Sequence, residues 1–188
     1  MTIPNLISIA RLLVVPVMIW ALIDGRFAVA FWLFVIAGVS DAVDGAIARH
    51  FNQQSALGLY LDPMADKALL STVYIGLALL QRLPDWLAIA VVSRDVLIVA
   101  AFMLSYVMGL PVAVRPLFVS KLTTAAQICL AAGVLGEAAL GVRLGLVTDL
   151  LVGLTLILTV ASATAYLVDW LRHMASPHET SQGDSEDP

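Results

Sequence analysis

Residues 27–49 read Phe27-Ala28-Val29-Ala30-Phe31-Trp32-Leu33-Phe34-Val35-Ile36-Ala37-Gly38-Val39-Ser40-Asp41-Ala42-Val43-Asp44-Gly45-Ala46-Ile47-Ala48-Arg49, an apolar run with no charge before Asp41 that then carries two aspartates three positions apart. A helix needs about 20 apolar residues to cross the hydrocarbon core of a bilayer, so this stretch reads as a membrane helix with acid in its second half. Runs of comparable length recur on both sides and divide the chain into residues 6–23, 27–49, 57–81, 84–108, 118–140 and 145–171. Short polar or Pro/Gly-bearing breaks separate them, at Asp24-Gly25-Arg26, residues 50–56, Arg82-Leu83-Pro84-Asp85, residues 109–116 and residues 141–145. The expected fold class is an all-α integral membrane protein with six transmembrane helices.

Composition agrees. Of 188 residues, 61% are hydrophobic and 13% charged, with a mean hydropathy of +0.95, against about a quarter charged in an ordinary soluble domain. A water-soluble globule is excluded. The net charge of -4 comes from Glu179, Asp184, Glu186 and Asp187 near the C-terminus, and the rest is neutral. Without clustered Lys and Arg there is no footprint for nucleic acid. Cys129 lies in the apolar run Gln127-Ile128-Cys129-Leu130 and is expected to be a packed core thiol. Gly133, Gly136, Gly141, Gly145 and Gly153 are expected to serve close helix packing in lipid. The first span carries Arg11, is long, and is followed by no small-residue cleavage site, so it is expected to be a membrane helix rather than a signal peptide.

Lys and Arg near helix ends set orientation. With the N-terminus inside, Arg11, Arg49, Arg115, Lys121 and Arg172 are cytoplasmic and Arg26, Arg82 and Arg143 are outside. Both termini are then cytoplasmic in a multi-pass protein. Residues 1–173 form the expected membrane domain, and residues 174–188 an acidic, disordered cytoplasmic tail with no assigned function.

Each Asp near the centre of a membrane helix costs roughly 2.5–3.5 kcal/mol on insertion scales, yet Asp41, Asp44, Asp62 and Asp66 fall within or at the edges of two apolar spans. Spacings of three and four put the members of each pair on one helix face. The link between the two spans is short enough to fold them antiparallel, so the two faces are expected to meet. Arg49 and Lys67 are the cations near in sequence. Divalent cations are therefore the expected partners of the four acids, and an all-oxygen site suits Mg²⁺ or Mn²⁺. Gly45, Ala46, Ala48 and Gly58 leave room for a bulky ligand, and two such ions best neutralise a pyrophosphate. The bland alternative is a set of acids paired with basic residues on neighbouring helices, which would stabilise weakly.

Asp41, Asp44, Gly45, Ala48, Arg49, Gly58, Asp62 and Asp66 follow D-x2-D-G-x2-A-R-x8-G-x3-D-x3-D without a departure. That pattern resembles the signature of the CDP-alcohol phosphatidyltransferases, and the helix layout extends the resemblance over all but the tail. The resemblance implies that a CDP-lipid loses CMP when an acceptor hydroxyl attacks the phosphate bearing the lipid. It implies further that Asp41, Asp44, Asp62 and Asp66 hold two metal ions on the pyrophosphate and that Asp66 doubles as general base. Gly45, Ala48, Arg49 and Gly58 would line the nucleotide pocket, near the cytoplasmic side where CMP can leave. Pro4-Asn5-Leu6-Ile7-Ser8-Ile9-Ala10-Arg11 resembles the family's amino-terminal segment; Asn5 and Ser8 would approach the nucleotide, or simply cap the helix start. Arg11 could equally snorkel to lipid headgroups. The resemblance also implies a homodimer.

Residues 92–99, with Arg94-Asp95, and residues 115–127, with Arg115 and Lys121, resemble the CMP-forming, mitochondrial-type cardiolipin synthase branch. The branch that makes phosphatidylglycerophosphate carries R-E and a second Arg eight positions on, where this chain has Asp95 and Phe102. A doubly charged phosphate monoester such as glycerol 3-phosphate wants several cationic donors, and Phe102 supplies none. The reading is transfer from CDP-diacylglycerol to phosphatidylglycerol among the membrane lipids, with glycerol 3-phosphate as the alternative acceptor and Arg94, Arg115 and Lys121 on the acceptor side. Arg94 and Asp95 could also be only a buried pair. An intramembrane prenyltransferase would carry its acid clusters on widely separated segments, and a cation transporter would show repeats and broken helices; neither pattern is visible.

Overall fold

The computed structural model of the protein describes the backbone of residues 3–51, 58–107 and 118–175 and the side chains of residues 9–41, 64–100 and 118–168. Among the described residues every element is helical: α1 (Ile3–Ile23), α2 (Phe27–Phe51), α3 (Gly58–Leu79), α4 (Asp85–Val107), α5 (Phe118–Leu140) and α6 (Leu146–Ala175). The boundaries lie within a few residues of those read from the apolar runs. At about 1.5 Å per residue, the α5 stretch Phe118–Leu140 and the α6 stretch Leu146–Val168 are long and apolar enough to cross a membrane, with shorter apolar stretches at Ile9–Ile23 and Phe27–Asp41. The tail, residues 176–188, lies outside the described residues.

The breaks end helices for identifiable reasons. At the end of α1 the Arg26 N–H donates to Ala21 O (2.8 Å) and the Gly25 N–H to Leu22 O (3.1 Å), with Gly25 at φ 70°. That is a Schellman cap, in which a left-handed residue lets the chain turn back and satisfy the last carbonyls. The end of α3 repeats it, Arg82 N–H to Leu77 O and Gln81 N–H to Ala78 O, both 2.8 Å, but the left-handed position holds Gln81 at φ 55°.

Contacts close the helices into a ring in the order α1, α2, α5, α6, α4, α3 and back to α1, and α3 also touches α5 across it. Arg11 meets Asp66 near the start of α1 and α3, whereas Leu22 meets Gly76 near their ends. These two helices therefore run parallel. A Cβ on Gly76 would come within 2.6 Å of Leu22 Cδ1, so any larger residue there would make the Leu22 side chain shift. The tight α1–α2 turn reverses α2, which is thus antiparallel to α3 as expected. Among the described residues, however, the two acid-bearing helices meet through α1, which packs on both, rather than face to face.

The core is apolar, built from residues such as Met18, Leu22, Val73, Leu77, Leu130 and Leu135, but it also holds polar groups, and the exterior is apolar too. Arg11, Arg94, Asp95, Thr123, Gln127, Thr159 and Ser162 are buried, while Leu13, Ile23, Trp32, Ile36, Leu150 and Ile157 are exposed. An exterior of that kind is stable only against an apolar medium. Cys129 departs from expectation here, since it is exposed. Lipid-facing and core-facing positions are both apolar in such a bundle, so an apolar neighbourhood in sequence does not distinguish them. The glycines also divide differently. Gly141 and Gly145 sit in the α5–α6 turn with φ of 67° and 49°, a Cβ added at Gly136 would meet the Phe31 ring at 3.4 Å, an ordinary packing distance, and Gly133 and Gly153 have open space beside them.

Candidate active site

Arg11 on α1 reaches two other helices. Its NH2 group lies 2.8 Å from Asp41 Oδ1 on α2, and its NH1 donates to Asp66 Oδ1 on α3. The guanidinium is 2% exposed, whereas the Asp41 and Asp66 side chains are 42% and 43% exposed. A buried cation thus holds two carboxylates that both remain more than 40% exposed. The first and last acids of the motif are thereby brought to one point, although 55 residues separate Arg11 from Asp66. Arg11 does not snorkel to headgroups; the two carboxylates outcompete the interface for its planar fork of donors.

Beyond α3 lies a second charged group. Arg94 NH1 donates to Asp95 Oδ1 at 2.6 Å, its NH2 to Ser120 Oγ at 2.6 Å and Ser162 Oγ at 2.9 Å, and its Nε to Ser162 Oγ at 3.3 Å. The same Asp95 oxygen accepts from Lys67 Nζ at 3.2 Å. One buried carboxylate thus serves two cations, and the cluster joins α3, α4, α5 and α6. Below it, Tyr74 O–H donates to Gln127 O (3.1 Å) and Gln127 Nε2 to Thr159 Oγ1 (3.4 Å), continuing a polar seam through the bundle.

Of the other residues named from the sequence, Lys121 stands exposed in the first turn of α5. Asp44, Gly45, Ala48 and Arg49 belong to the last turns of α2, Gly58 and Asp62 to the first turns of α3, and Asn5 and Ser8 to the first turns of α1. Their side chains lie outside the described residues, as does Phe102 on α4, and Arg115 is outside them altogether. Among the described residues no group of three or more His, Cys, Asp or Glu side chains gathers at one point. The oxygen-only donors of Asp41 and Asp66, both more than 40% exposed and sharing one cation, are of the kind that hard divalent ions take.

The family model described as CDP-alcohol phosphatidyltransferase matches residues 1–167, which takes in α1 to α5 and most of α6. The chain belongs to this family. Members of the CDP-alcohol phosphatidyltransferase family use divalent metal ions, in keeping with the chemistry of the acids. The chain is 36% identical over 181 residues to "Cardiolipin synthase (CMP-forming)" of Rattus norvegicus, covering 88% of this chain and 60% of that protein. It is 36% identical over 104 residues to the Streptomyces coelicolor protein of the same name, covering 52% of this chain and 48% of that one. With "CDP-diacylglycerol--glycerol-3-phosphate 3-phosphatidyltransferase 1, chloroplastic" of Oryza sativa it shares 33% over 152 residues, 72% of this chain and 46% of that protein. The chain spans about 60% of the length of its mammalian relatives.

Two members of these charged groups escaped the reading of the sequence. Arg11 was legible only as a charge inside the first apolar run, and its partners lie 30 and 55 positions away. Lys67 is adjacent to Asp66 and looked like a counterion for the motif acids, but its ammonium turns to Asp95 on α4.

Proposed function

We propose that the protein transfers the phosphatidyl group of CDP-diacylglycerol to the free hydroxyl of phosphatidylglycerol, forming cardiolipin and CMP. The observation that carries this reading is the convergence of Asp41 and Asp66 on Arg11, because it gathers the two ends of the phosphatidyltransferase motif at one accessible point. Asp41, Asp44, Asp62 and Asp66 would hold two divalent ions, Mg²⁺ or Mn²⁺, whose charge offsets that of the pyrophosphate and of the departing CMP oxygen. Arg11 orients the Asp41 and Asp66 carboxylates from below. Asp66 accepts the proton of the acceptor hydroxyl as its oxygen bonds to the lipid-bearing phosphorus, and the anhydride bond to CMP breaks. An alcohol is too weak a nucleophile at neutral pH without such a base within hydrogen-bond reach. Gly45, Ala48, Arg49, Gly58, Asn5 and Ser8 take the nucleotide side, and Arg94, Arg115 and Lys121 the acceptor side.

We read the fold as six membrane-crossing helices, working as a homodimer. The Arg82 guanidinium lies 5.2 Å from the Phe27 ring and Gly136 on α5 lies against Phe31 on α2. The turns bearing Arg26, Arg82 and Arg143 therefore cluster at one end, which we assign to the outside. The acids then lie towards the cytoplasmic side, with both termini there.

The Oryza sativa relative favours a second reading, in which glycerol 3-phosphate is the acceptor. Purified protein in mixed micelles with CDP-diacylglycerol and Mg²⁺ distinguishes the two. CMP release and cardiolipin formation only with phosphatidylglycerol are expected; turnover only with glycerol 3-phosphate would replace the first reading by the second, and no CMP release with either would reject both.

A further inference from the structure

Lys67 occupies an unusual position between the two charged groups. It follows Asp66 on α3, and the helix turns about 100° per residue, so Asp66 points to Arg11 on α1 while Lys67 points to Asp95 on α4. Its side chain is 27% exposed, against 4% for Arg94 and 5% for Asp95. The Arg94 guanidinium is engaged along its whole edge by Asp95, Ser120 and Ser162. Lys67 spends one ammonium proton on Asp95, and an ammonium has three to donate. The accessible donor of the cluster is therefore the lysine.

The charge of the group is equally specific. Two cations and one carboxylate leave a single positive charge, inside a bundle where an unmatched charge is costly. A ligand carrying one negative charge would neutralise it. A phosphate monoester with two would leave the interior charged again.

We propose that Lys67 binds the singly charged phosphodiester of the acceptor lipid, and that Arg94 acts through Asp95 to hold the lysine at that position. The proposal rests on the phosphatidylglycerol reading above and adds the group that recognises the acceptor. With the headgroup phosphate on Lys67, the hydroxyl of the same headgroup falls on the side of Asp66, the residue immediately before it. Asp95 is then a positioning residue, and Lys67 the contact that distinguishes a phosphodiester from a phosphomonoester.

The test is steady-state kinetics of the full chain in mixed micelles, with CDP-diacylglycerol and Mg²⁺ and two acceptors: phosphatidylglycerol and an uncharged diacyl lipid with a glycerol headgroup and no phosphate. A charge-assisted hydrogen bond is worth about ten- to a hundredfold in affinity. Lys67→Gln should raise KM for phosphatidylglycerol by that factor, leave KM for CDP-diacylglycerol unchanged, and abolish the preference for phosphatidylglycerol over the uncharged lipid. Lys67→Arg should restore part of that preference, and it covers the case in which the glutamine variant fails to fold. Asp95→Asn should raise KM for phosphatidylglycerol while retaining some preference. An unchanged KM for phosphatidylglycerol in Lys67→Gln, or an equal rise for both substrates, would overturn the proposal while leaving the function intact. Wild-type protein that turns over only glycerol 3-phosphate would overturn the function first, and with it the match of single charges.

Discussion

Replacing Arg11 by glutamine takes away the cation that Asp41 and Asp66 share. Removing one partner of a fully buried ion pair costs about 3–5 kcal/mol, whereas an exposed pair contributes about 0–1 kcal/mol. Arg11 belongs to the first class and its two acids, both more than 40% exposed, lean towards the second. An intermediate value of about 2 kcal/mol for the two pairs together follows, which lowers the melting midpoint of a chain this size by roughly 4–8 °C. The informative quantity is how that loss responds to metal. If the acids bind divalent ions, Mg²⁺ supplies the charge that the variant lacks, and it stabilises the folded state by mass action. Thermal unfolding in detergent, followed by intrinsic tryptophan fluorescence, should show the full deficit in EDTA and less than half of it in millimolar Mg²⁺. Arg11→Lys should fall between, because one ammonium cannot present the two-pronged donor edge that reaches carboxylates on two helices. A deficit of equal size with and without Mg²⁺ would refute the idea that Arg11 and the metal ions serve the same carboxylates. A lysine variant no different from the glutamine one would refute the role of the planar fork.

Asp66→Asn should reduce CMP release by at least about a hundredfold, the lower end of general-base contributions, while CDP-diacylglycerol still binds; normal turnover would remove Asp66 as the base. Chelation should abolish activity and either Mg²⁺ or Mn²⁺ should restore it, whereas full activity after exhaustive dialysis against EDTA would exclude the metal reading. Gln81→Gly should raise stability by roughly 0.5 kcal/mol, since a left-handed non-glycine residue costs about 1–2 kcal/mol and glycine returns part of that gain through backbone entropy; a lower melting midpoint would show that the Gln81 side-chain bond to Ala78 O (3.4 Å) outweighs the backbone term.

Helix positions were legible because long apolar runs bounded by polar or Pro/Gly-bearing breaks are displayed by a single sequence. The D-x2-D-G-x2-A-R-x8-G-x3-D-x3-D pattern was legible for a related reason: four acids in apolar spans are costly enough to require a purpose. What the sequence could not display is which helix lies between which. The acid-bearing spans are consecutive, and among the described residues α1 packs on both and supplies the cation shared by Asp41 and Asp66. Cys129 failed for a different reason. In water an apolar run with one polar face announces its buried side, but lipid solvates Leu and Cys as well as a core does, so inside and outside carry the same letters. The buried polar residues are the better guide to the interior: Thr123, Gln127, Thr159 and Ser162 are all buried on α5 and α6.

The position of α3 gives the site its division of labour. It is the helix that touches α1, α4 and α5 at once, and its adjacent residues Asp66 and Lys67 belong to charge groups of opposite sign. On the α1 side the two described acids and Arg11 sum to one negative charge, an environment that draws in cations. On the α4 side Lys67, Arg94 and Asp95 sum to one positive charge, an environment that draws in an anion. The proposed reaction between two anionic lipids needs both conditions within a few ångströms, because without them the donor and acceptor repel each other in a medium that screens little. In the proposed arrangement Asp66 stands on the boundary, with its carboxylate on the donor side and the lysine that follows it on the acceptor side. In that proposal a base at the boundary takes the acceptor proton without either lipid leaving its own compensating charge, and a second acid in place of Lys67 would remove that compensation while leaving the proposed metal ligands in place.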